Sequence, residues 1–191
     1  WENSPHARNG QTCQTCHMPL RSHTWKGVHD VEMVRSAMAF DITTAGVTAD
    51  TVSVRVAIRN VGAGHHLPTY VTPKIIVSLA LVTASGETIK GTTSRRAIGR
   101  EIDLQSEVGG EVYDTRIPAG GQWVWTYESA RSTLAIGATI RVDVFPDDFY
   151  ADFFDDYDTS SLSDKAATAI ATARRTTAGS GYQLYEERVT F

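Results

Sequence analysis

The stretch Thr51-Val52-Ser53-Val54-Arg55-Val56-Ala57-Ile58-Arg59 decides the fold class. Apolar side chains recur at every second position, and mainly polar side chains lie between them. Because successive side chains of a strand point to opposite faces, this period of two predicts a strand with one buried face. We therefore expect a β-sheet with a core on one side of this strand.

Several other stretches also have the character of strands. They are Lys74–Val82, Thr88–Thr92 as its hairpin partner after a Ser-Gly turn, Gln122–Tyr127, Thr139–Phe145 and Tyr182–Phe191. Short strands separated by glycine and proline turns predict an antiparallel, immunoglobulin-like β-sandwich. Both cysteines lie near the N-terminus, so the inter-sheet disulfide of antibody domains is absent and only the architecture is predicted.

Two segments have the periodicity of helices. Apolar residues recur at helical spacing over Asp30–Met38, and Asp30 is a suitable N-cap residue. The alanine-rich stretch Ser163–Arg175 predicts a second helix, at about 163–176, which the glycines that follow it end. The expected fold class is thus mainly β, with an irregular and helical N-terminal segment and a C-terminal helix.

The two cysteines lie in the stretch Cys13-Gln14-Thr15-Cys16-His17, which is the attachment signature of a c-type haem. Two thiols three positions apart can reach the vinyl groups along one edge of a porphyrin, and His17 then offers an imidazole as the proximal ligand. The alternatives fit less well. A four-thiolate zinc site lacks its second pair of cysteines, a thioredoxin-like pair lacks the preceding strand, and a plain disulfide leaves the histidine unexplained.

The signature divides the chain into two parts. We predict that residues 1–38 form the haem-binding segment and that residues 39–191 form the β-sandwich domain, packed together as one unit. Four of the six histidines lie in the first thirty residues, among turn-forming residues. Such a segment needs little apolar periodicity because the porphyrin takes the place of a core.

A second ligand to the iron must come from elsewhere in the chain. Two imidazoles on opposite faces of a haem set their Cα atoms roughly 12–13 Å apart, and the chain must pass around the ring edge. His23 follows His17 too closely to reach easily, whereas His29 and His65 have ample chain. Glycines before His65 allow a close approach of backbone to a flat ligand. We predict His65 as the distal ligand, with His29 as the alternative; an exposed polar loop is the ordinary interpretation of His65 and His66.

The composition is that of a globular protein with an acidic balance. The chain has 191 residues, 41% of them hydrophobic and 21% charged, and a net charge of −4. It can therefore form one domain with a real core, nucleic acid is not an expected partner, and no apolar run is long enough to span a membrane. The chain opens on Trp1, so we expect that a signal peptide was removed. Because bacteria attach haem covalently outside the cytoplasm, we expect a periplasmic or extracellular location.

Residues 146–158 interleave six aspartates with aromatic rings. Calcium is a second candidate cofactor here because carboxylate oxygens are its preferred ligands. The spacing lacks the EF-hand pattern, however, and we favour solvated carboxylates on a segment that packs its rings on the sandwich. Arg95, Arg96 and Arg100 are candidates to pair with haem propionates.

Four stretches together resemble bacterial multihaem c-type cytochromes: WENSPH (1–6), CQTCHMP (13–19), HTWKGVHD (23–30) and NVGAGH (60–65). They are similar to the cytochrome c554-like group, in which a last Cys-x-x-Cys-His-Met-Pro segment precedes a C-terminal β-domain. The resemblance covers residues 1–70. It implies an electron carrier with bis-histidine haems, and it implies that His6, His23 or His65 occupies a distal-ligand position.

This chain departs from that group because it has a single Cys-x-x-Cys-His motif. More of its histidines resemble ligand positions than one haem can use. Either the surplus histidines serve as hydrogen-bonding or vestigial residues, or His6 or His23 ligates the haem of a neighbouring subunit in a polymer.

Three functional hypotheses follow. The first is an electron-transfer c-type cytochrome, not an enzyme, with one covalent bis-histidine haem c and a redox partner protein or neighbouring cytochrome subunits as partners. The alternative is a haem enzyme or gas sensor with an open distal position, where His29 or His66 handles the bound ligand. The third is a homo-oligomeric subunit of an extracellular assembly or filament whose haem conducts.

Overall fold

The computed structural model describes residues 1–103 and 110–191, in which most of the regular structure is β. The helices there are α1 (Pro5–Arg8), α2 (Cys13–His17), α3 (Val31–Ala37), α4 (Asp148–Asp155) and α5 (Asp164–Ala178), with a 3₁₀ turn at Pro19–Arg21. The strands are β1 (Met38–Val47), β2 (Thr51–Asn60), β3 (Lys74–Val82), β4 (Ser94–Ile98), β5 (Arg100–Asp103), β6 (Gly110–Asp114), β7 (Gln122–Ala130), β8 (Gly137–Phe145) and β9 (Tyr182–Thr190).

Two antiparallel sheets enclose the core. The first has the strand order β1-β2-β7 and the second has the order β4-β3-β8-β9, while β5 and β6 pair separately. The side chains between the sheets belong to one buried cluster, which includes Val52, Val54, Val56, Ile58, Ile75, Val77, Leu79, Ile140, Val142 and Val144. Burying one such side chain contributes about 1.5–3 kcal/mol. The predicted mainly β, antiparallel architecture is confirmed.

The alternation of apolar and polar side chains along β2 determines which face of this strand lies against the core. Val52, Val54, Val56 and Ile58 are fully buried, as the period of two predicts. Asn60 continues the same phase and is buried as well, at the end of the strand. β3 has the predicted bounds, and β7, β8 and β9 lie on the other predicted stretches.

The predicted strand Thr88–Thr92 is wrong. Only an isolated bridge joins Thr88 to Val82, and the antiparallel partner of β3 on this side is β4. The chain turns before β4 because Gly91 has a φ of +81° and the Thr92 hydroxyl donates to the Ile89 carbonyl over 2.7 Å. β1 was not predicted because its burial pattern is irregular.

The two predicted helices are confirmed with small changes at their ends. The Asp30 carboxylate accepts a hydrogen bond from the Met33 backbone N–H over 2.9 Å, so Asp30 is the N-cap of α3. Ser163 caps α5 in the same way, and Gly179 follows the last residue of α5.

The segment that begins at residue 146 differs from its prediction because it forms the helix α4 and pairs with α5. The Arg174 guanidinium donates to the carbonyls of Asp155 and Tyr157, over 3.2 and 2.7 Å, and so satisfies groups at the end of α4. Rings of this segment contact one another, and Phe153 and Tyr157 are exposed. The expectation that these rings pack on the sandwich is therefore wrong.

The N-terminal segment joins the sandwich through α3 and the loop before it. Val34 and Ala37 of α3 belong to the same buried cluster as the sheets. The Tyr182 hydroxyl at the start of β9 donates to the Val28 carbonyl over 2.7 Å, and burial raises the pKa of Tyr182 to about 12. The division at residue 38 stays a prediction. Among the described residues no helix has both the length and the apolar character to cross a membrane.

The substitution Tyr182→Phe removes the hydrogen bond to Val28. We expect the free energy of unfolding at pH 7 to fall by about 1 kcal/mol, measured by denaturant titration. The matched control Tyr150→Phe changes an exposed ring of α4 and should leave the free energy of unfolding unchanged. Because the folded pKa is raised above the ordinary value of about 10, the advantage of wild type over Tyr182→Phe is complete below pH 10 and is lost toward pH 12. Equal stability of the two proteins at pH 7 would contradict the role of this bond.

Candidate haem-binding site

The helix α2 brings the three residues of the signature to one side. Cys13, Cys16 and His17 are separated by three and four positions, so they share a face of the single turn. The Thr15 hydroxyl accepts the Thr12 backbone N–H over 3.1 Å, which satisfies one of the free N–H groups near the start of α2. Both thiols are exposed and unpaired. They are therefore available for thioether bonds.

Two hydrogen bonds, one between backbone groups and one from the imidazole, hold His17 against Lys26. The Lys26 N–H donates to the His17 carbonyl over 2.9 Å, and the His17 Nδ1 bonds to the Lys26 carbonyl. A carbonyl can only accept, so Nδ1 must carry the proton, and Nε2 keeps the lone pair that a metal needs.

Lys26 connects this site to the sandwich. Its Nζ lies 2.8 Å from an oxygen of Asp30, the N-cap of α3. Hydrogen bonds from the Lys26 side chain and from the Met33 N–H hold the pKa of Asp30 below its usual value. The ring of Trp25 lies nearly parallel to that of His17, with 5.3 Å between the ring centres. His17 is thus fixed on two sides.

His65 lies in the loop after β2, which also contains Gly62 and Gly64. Its Nδ1 lies 2.8 Å from the His66 carbonyl and 3.0 Å from the Thr69 hydroxyl. Since the carbonyl accepts, Nδ1 again carries the proton and Nε2 keeps its lone pair. The loop itself is held by Asn60, whose amide donates to the His65 carbonyl over 2.8 Å and to the Ile117 carbonyl over 3.2 Å.

The glycines before His65 serve close packing within the protein. A Cβ on Gly62 would lie 2.6 Å from the Ser36 carbonyl oxygen in α3, and one on Gly64 would lie 2.9 Å from the Trp1 ring and 3.2 Å from the His6 Cβ. Both glycines also line the cavity beside His65, and the expectation that they let a flat ligand approach stays a prediction. They let α1 and α3 approach the loop that carries His65.

The imidazole rings of His17 and His65 lie close together and nearly parallel. Their ring centres are 6.1 Å apart and their planes differ by 16°. A metal ion held between two imidazole nitrogens, at about 2 Å from each, sets the ring centres about 6 Å apart. The rings border a cavity of about 1020 Å³ whose walls include Cys13, Cys16, His17, Trp25, Met33, His65 and Leu67. Two thiols, two imidazoles whose Nε2 atoms make no hydrogen bond among the described residues, and a large partly apolar cavity fit a haem c.

The other candidate histidines differ in position. His29 lines the cavity, but its Nε2 lies 3.0 Å from an Asp147 oxygen. His6 also lines the cavity, and its buried Nδ1 has no hydrogen-bond partner among the described residues. His23 and His66 are exposed and are absent from the cavity wall in the described chain.

Some of the candidate cation and propionate ligands make other contacts. Asp148 lies 2.9 Å from the Lys74 Nζ; burial alone would lower the pKa of Lys74, but the hydrogen bond and charge of Asp148 raise it. In the described chain no three His, Cys, Asp or Glu side chains gather as a metal site, so calcium has no support. Arg96 lies over the Trp125 ring and Arg100 pairs with Glu111, and neither borders the described cavity.

Comparisons with known proteins support the fold. The structure is similar to a penta-haem cytochrome c552 from Thermochromatium tepidum, with a TM-score of 0.67 and 17% identity, over 94% of this chain and 47% of that one. The chain thus spans about half of that structure, and at this identity the likeness shows the fold alone. A multihaem cytochrome therefore contains this fold.

Two weaker similarities carry no argument because their TM-scores are below 0.5. A β-glucuronidase from Bacteroides uniformis has a TM-score of 0.31 and 10% identity, over 56% of this chain and 12% of that one. The structural-genomics target SoR45 has a TM-score of 0.28 and 9% identity, over 58% and 74%. No protein-family model and no curated protein sequence matches the chain.

Sequence reasoning missed the residues that hold His17 and His65. Asn60 carried a signal, because it is a polar residue in phase with the buried positions of β2. Thr69 and Lys26 carried none, since their roles depend on where the chain turns.

The substitution Gly62→Ala tests the packing behind His65. The added methyl group would collide with the Ser36 carbonyl, so we expect the free energy of unfolding to fall by about 1–3 kcal/mol. Gly110→Ala is the matched control, because no described atom lies within 4 Å of its added Cβ. Thermal or denaturant unfolding of both variants gives the comparison. If Gly62→Ala is as stable as Gly110→Ala, the close approach of α3 to this loop is wrong.

Proposed function

We propose that this chain is an electron-transfer module that holds one haem c between His17 and His65. The observation that carries the proposal is the pair of imidazoles, 6.1 Å apart, each with Nδ1 already bonded to a backbone carbonyl. An ordinary aromatic contact can have this distance too. An ordinary aromatic contact does not explain, however, why both imidazoles bond through Nδ1 and leave Nε2 without a described hydrogen bond, beside two unpaired thiols.

In this proposal four residues bind the haem. Cys13 and Cys16 form the thioether bonds, His17 is the proximal ligand and His65 is the distal ligand. The haem supplies one-electron chemistry between ferric and ferrous iron. The Lys26 carbonyl holds the His17 imidazole, the His66 carbonyl holds the His65 imidazole and Asn60 holds the His65 backbone, so the ligands need little rearrangement when the oxidation state changes.

Two axial histidines favour an electron carrier over an enzyme or a gas sensor. With both positions taken by side chains, no position is left for a substrate or a gas. The similarity to a multihaem cytochrome fold supports the same proposal. His29 is less favourable as the distal ligand because Asp147 already engages its Nε2.

The location and partners belong to the same proposal. Covalent haem attachment requires a periplasmic or extracellular location in bacteria. A redox protein or a neighbouring cytochrome subunit is the partner class, and the whole chain can be a unit of a larger assembly. His6 and His23 stay predictions as ligands to a neighbouring haem.

Absorption spectra of the haem-loaded protein test the proposal. We expect a six-coordinate low-spin ferric spectrum, and no response to carbon monoxide after reduction, because both axial positions are filled. His65→Ala opens one position and should allow carbon monoxide to bind. His66→Ala and His29→Ala are matched controls, one exposed and one at the cavity, and both should retain the wild-type spectrum.

Two results would contradict the assignment. Carbon monoxide binding by wild type would favour the enzyme or sensor hypothesis. A carbon monoxide response in His29→Ala but not in His65→Ala would make His29 the distal ligand.

A further inference from the structure

We infer that Thr69 positions the His65 imidazole and tunes its donation to iron, and that Arg116 is a second positioning residue that acts through Thr69. This inference rests on the proposed function. It concerns how the chain sets the reduction potential of the site rather than which residue ligates the iron.

The Thr69 hydroxyl closes a small ring of hydrogen bonds at His65. Its Oγ1 lies 3.0 Å from the His65 Nδ1 and 3.4 Å from the His66 carbonyl oxygen. The His65 Nδ1–H donates to the same carbonyl over 2.8 Å and is also within reach of the hydroxyl oxygen. The ring plane of His65 is therefore defined by two acceptors instead of one.

Arg116 fixes the backbone of Thr69. One of its terminal nitrogens donates to the Thr69 carbonyl over 2.7 Å. The same guanidinium makes a paired contact with Asp114, through Nε over 2.9 Å and through the other terminal nitrogen over 2.7 Å. Such a two-bond contact fixes the plane of the guanidinium.

Ile117, the next residue along the chain, adds further hydrogen bonds between the same two stretches. Ile117 and Leu67 exchange two backbone hydrogen bonds, each of 2.9 Å. The stretch from Asp114 to Ile117 thus holds the stretch from Leu67 to Thr69 at both ends. Neither Arg116 nor Asp114 contacts the His65 ring through a described hydrogen bond, so their effect on it must pass through Thr69 or the loop backbone.

Hydrogen bonds from the outer nitrogen of a ligating imidazole orient the ring and raise its basicity. A more basic imidazole favours the ferric state, so the bond to Thr69 should lower the reduction potential. Removing the hydroxyl should raise it.

The test compares reduction potentials of haem-loaded variants. Thr69→Val removes the hydroxyl and keeps the shape; we expect a retained six-coordinate low-spin spectrum and a positive shift of up to about tenfold in the redox equilibrium constant, or about 59 mV for one electron. Thr69→Ser keeps the hydroxyl and should restore the wild-type potential. Thr126→Val, at an exposed position of β7, is the control for a threonine-to-valine change.

A second readout follows the proton itself. The His65 Nδ1 proton should exchange with deuterated solvent faster in Thr69→Val than in wild type, measured by proton NMR of the ferric protein. A merely structural role of Thr69 would leave this rate and the potential unchanged while altering the unfolding curve.

The Arg116→Gln variant tests the second step. Alone it should shift the potential in the same direction as Thr69→Val, and in the Thr69→Val background it should add nothing, because the two residues act in series. Full additivity would overturn the role of Arg116.

The inference fails if Thr69→Val has the wild-type potential and exchange rate while His65→Ala still binds carbon monoxide. It also fails if Thr69→Ser shifts the potential as much as Thr69→Val. A wild-type protein that already binds carbon monoxide would instead reject the proposed function, so the two failures are distinguishable.

Discussion

The buried amide of Asn60 is the interaction on which the candidate site depends. Its side chain donates to the carbonyls of His65 and Ile117, and its oxygen accepts the Ala63 N–H over 3.0 Å. A buried amide is costly unless it is hydrogen-bonded, so these bonds and the loop conformation support each other. The last buried position of a core strand thereby fixes the loop that carries the proposed distal ligand.

The opposite imidazole is fixed by a separate chain of contacts that ends in the same core. His17 is bonded to Lys26, which pairs with Asp30, and Asp30 caps the helix α3. α3 also packs against Gly62, in the loop that carries His65. The segments that carry the two histidines therefore both contact α3. Outer contacts that orient the ligands are what a metal held between two side chains requires.

Sequence patterns predicted the parts of this molecule that depend on local periodicity. The alternation in β2 and the caps of α3 and α5 are local, and they matched the structure closely. β1, β4 and the turn at Gly91 were missed because their pairing is set by neighbouring strands rather than by their own alternation. The Cys-x-x-Cys-His spacing predicted His17 as the proximal ligand; chain reach left both His29 and His65 as distal candidates, and the preceding glycines favoured His65. The contacts of Thr69 and Arg116 could not be predicted because they form only after the loops are folded, whereas Asn60 carried a signal in its phase with the buried positions of β2.

The central claim is that one haem iron is held by His17 and His65. The most direct measurement is a crystal structure of the haem-loaded protein. We predict thioether bonds to Cys13 and Cys16 and an iron about 2 Å from the Nε2 atoms of both histidines. A sixth ligand from His29, from another chain or from solvent would contradict the account.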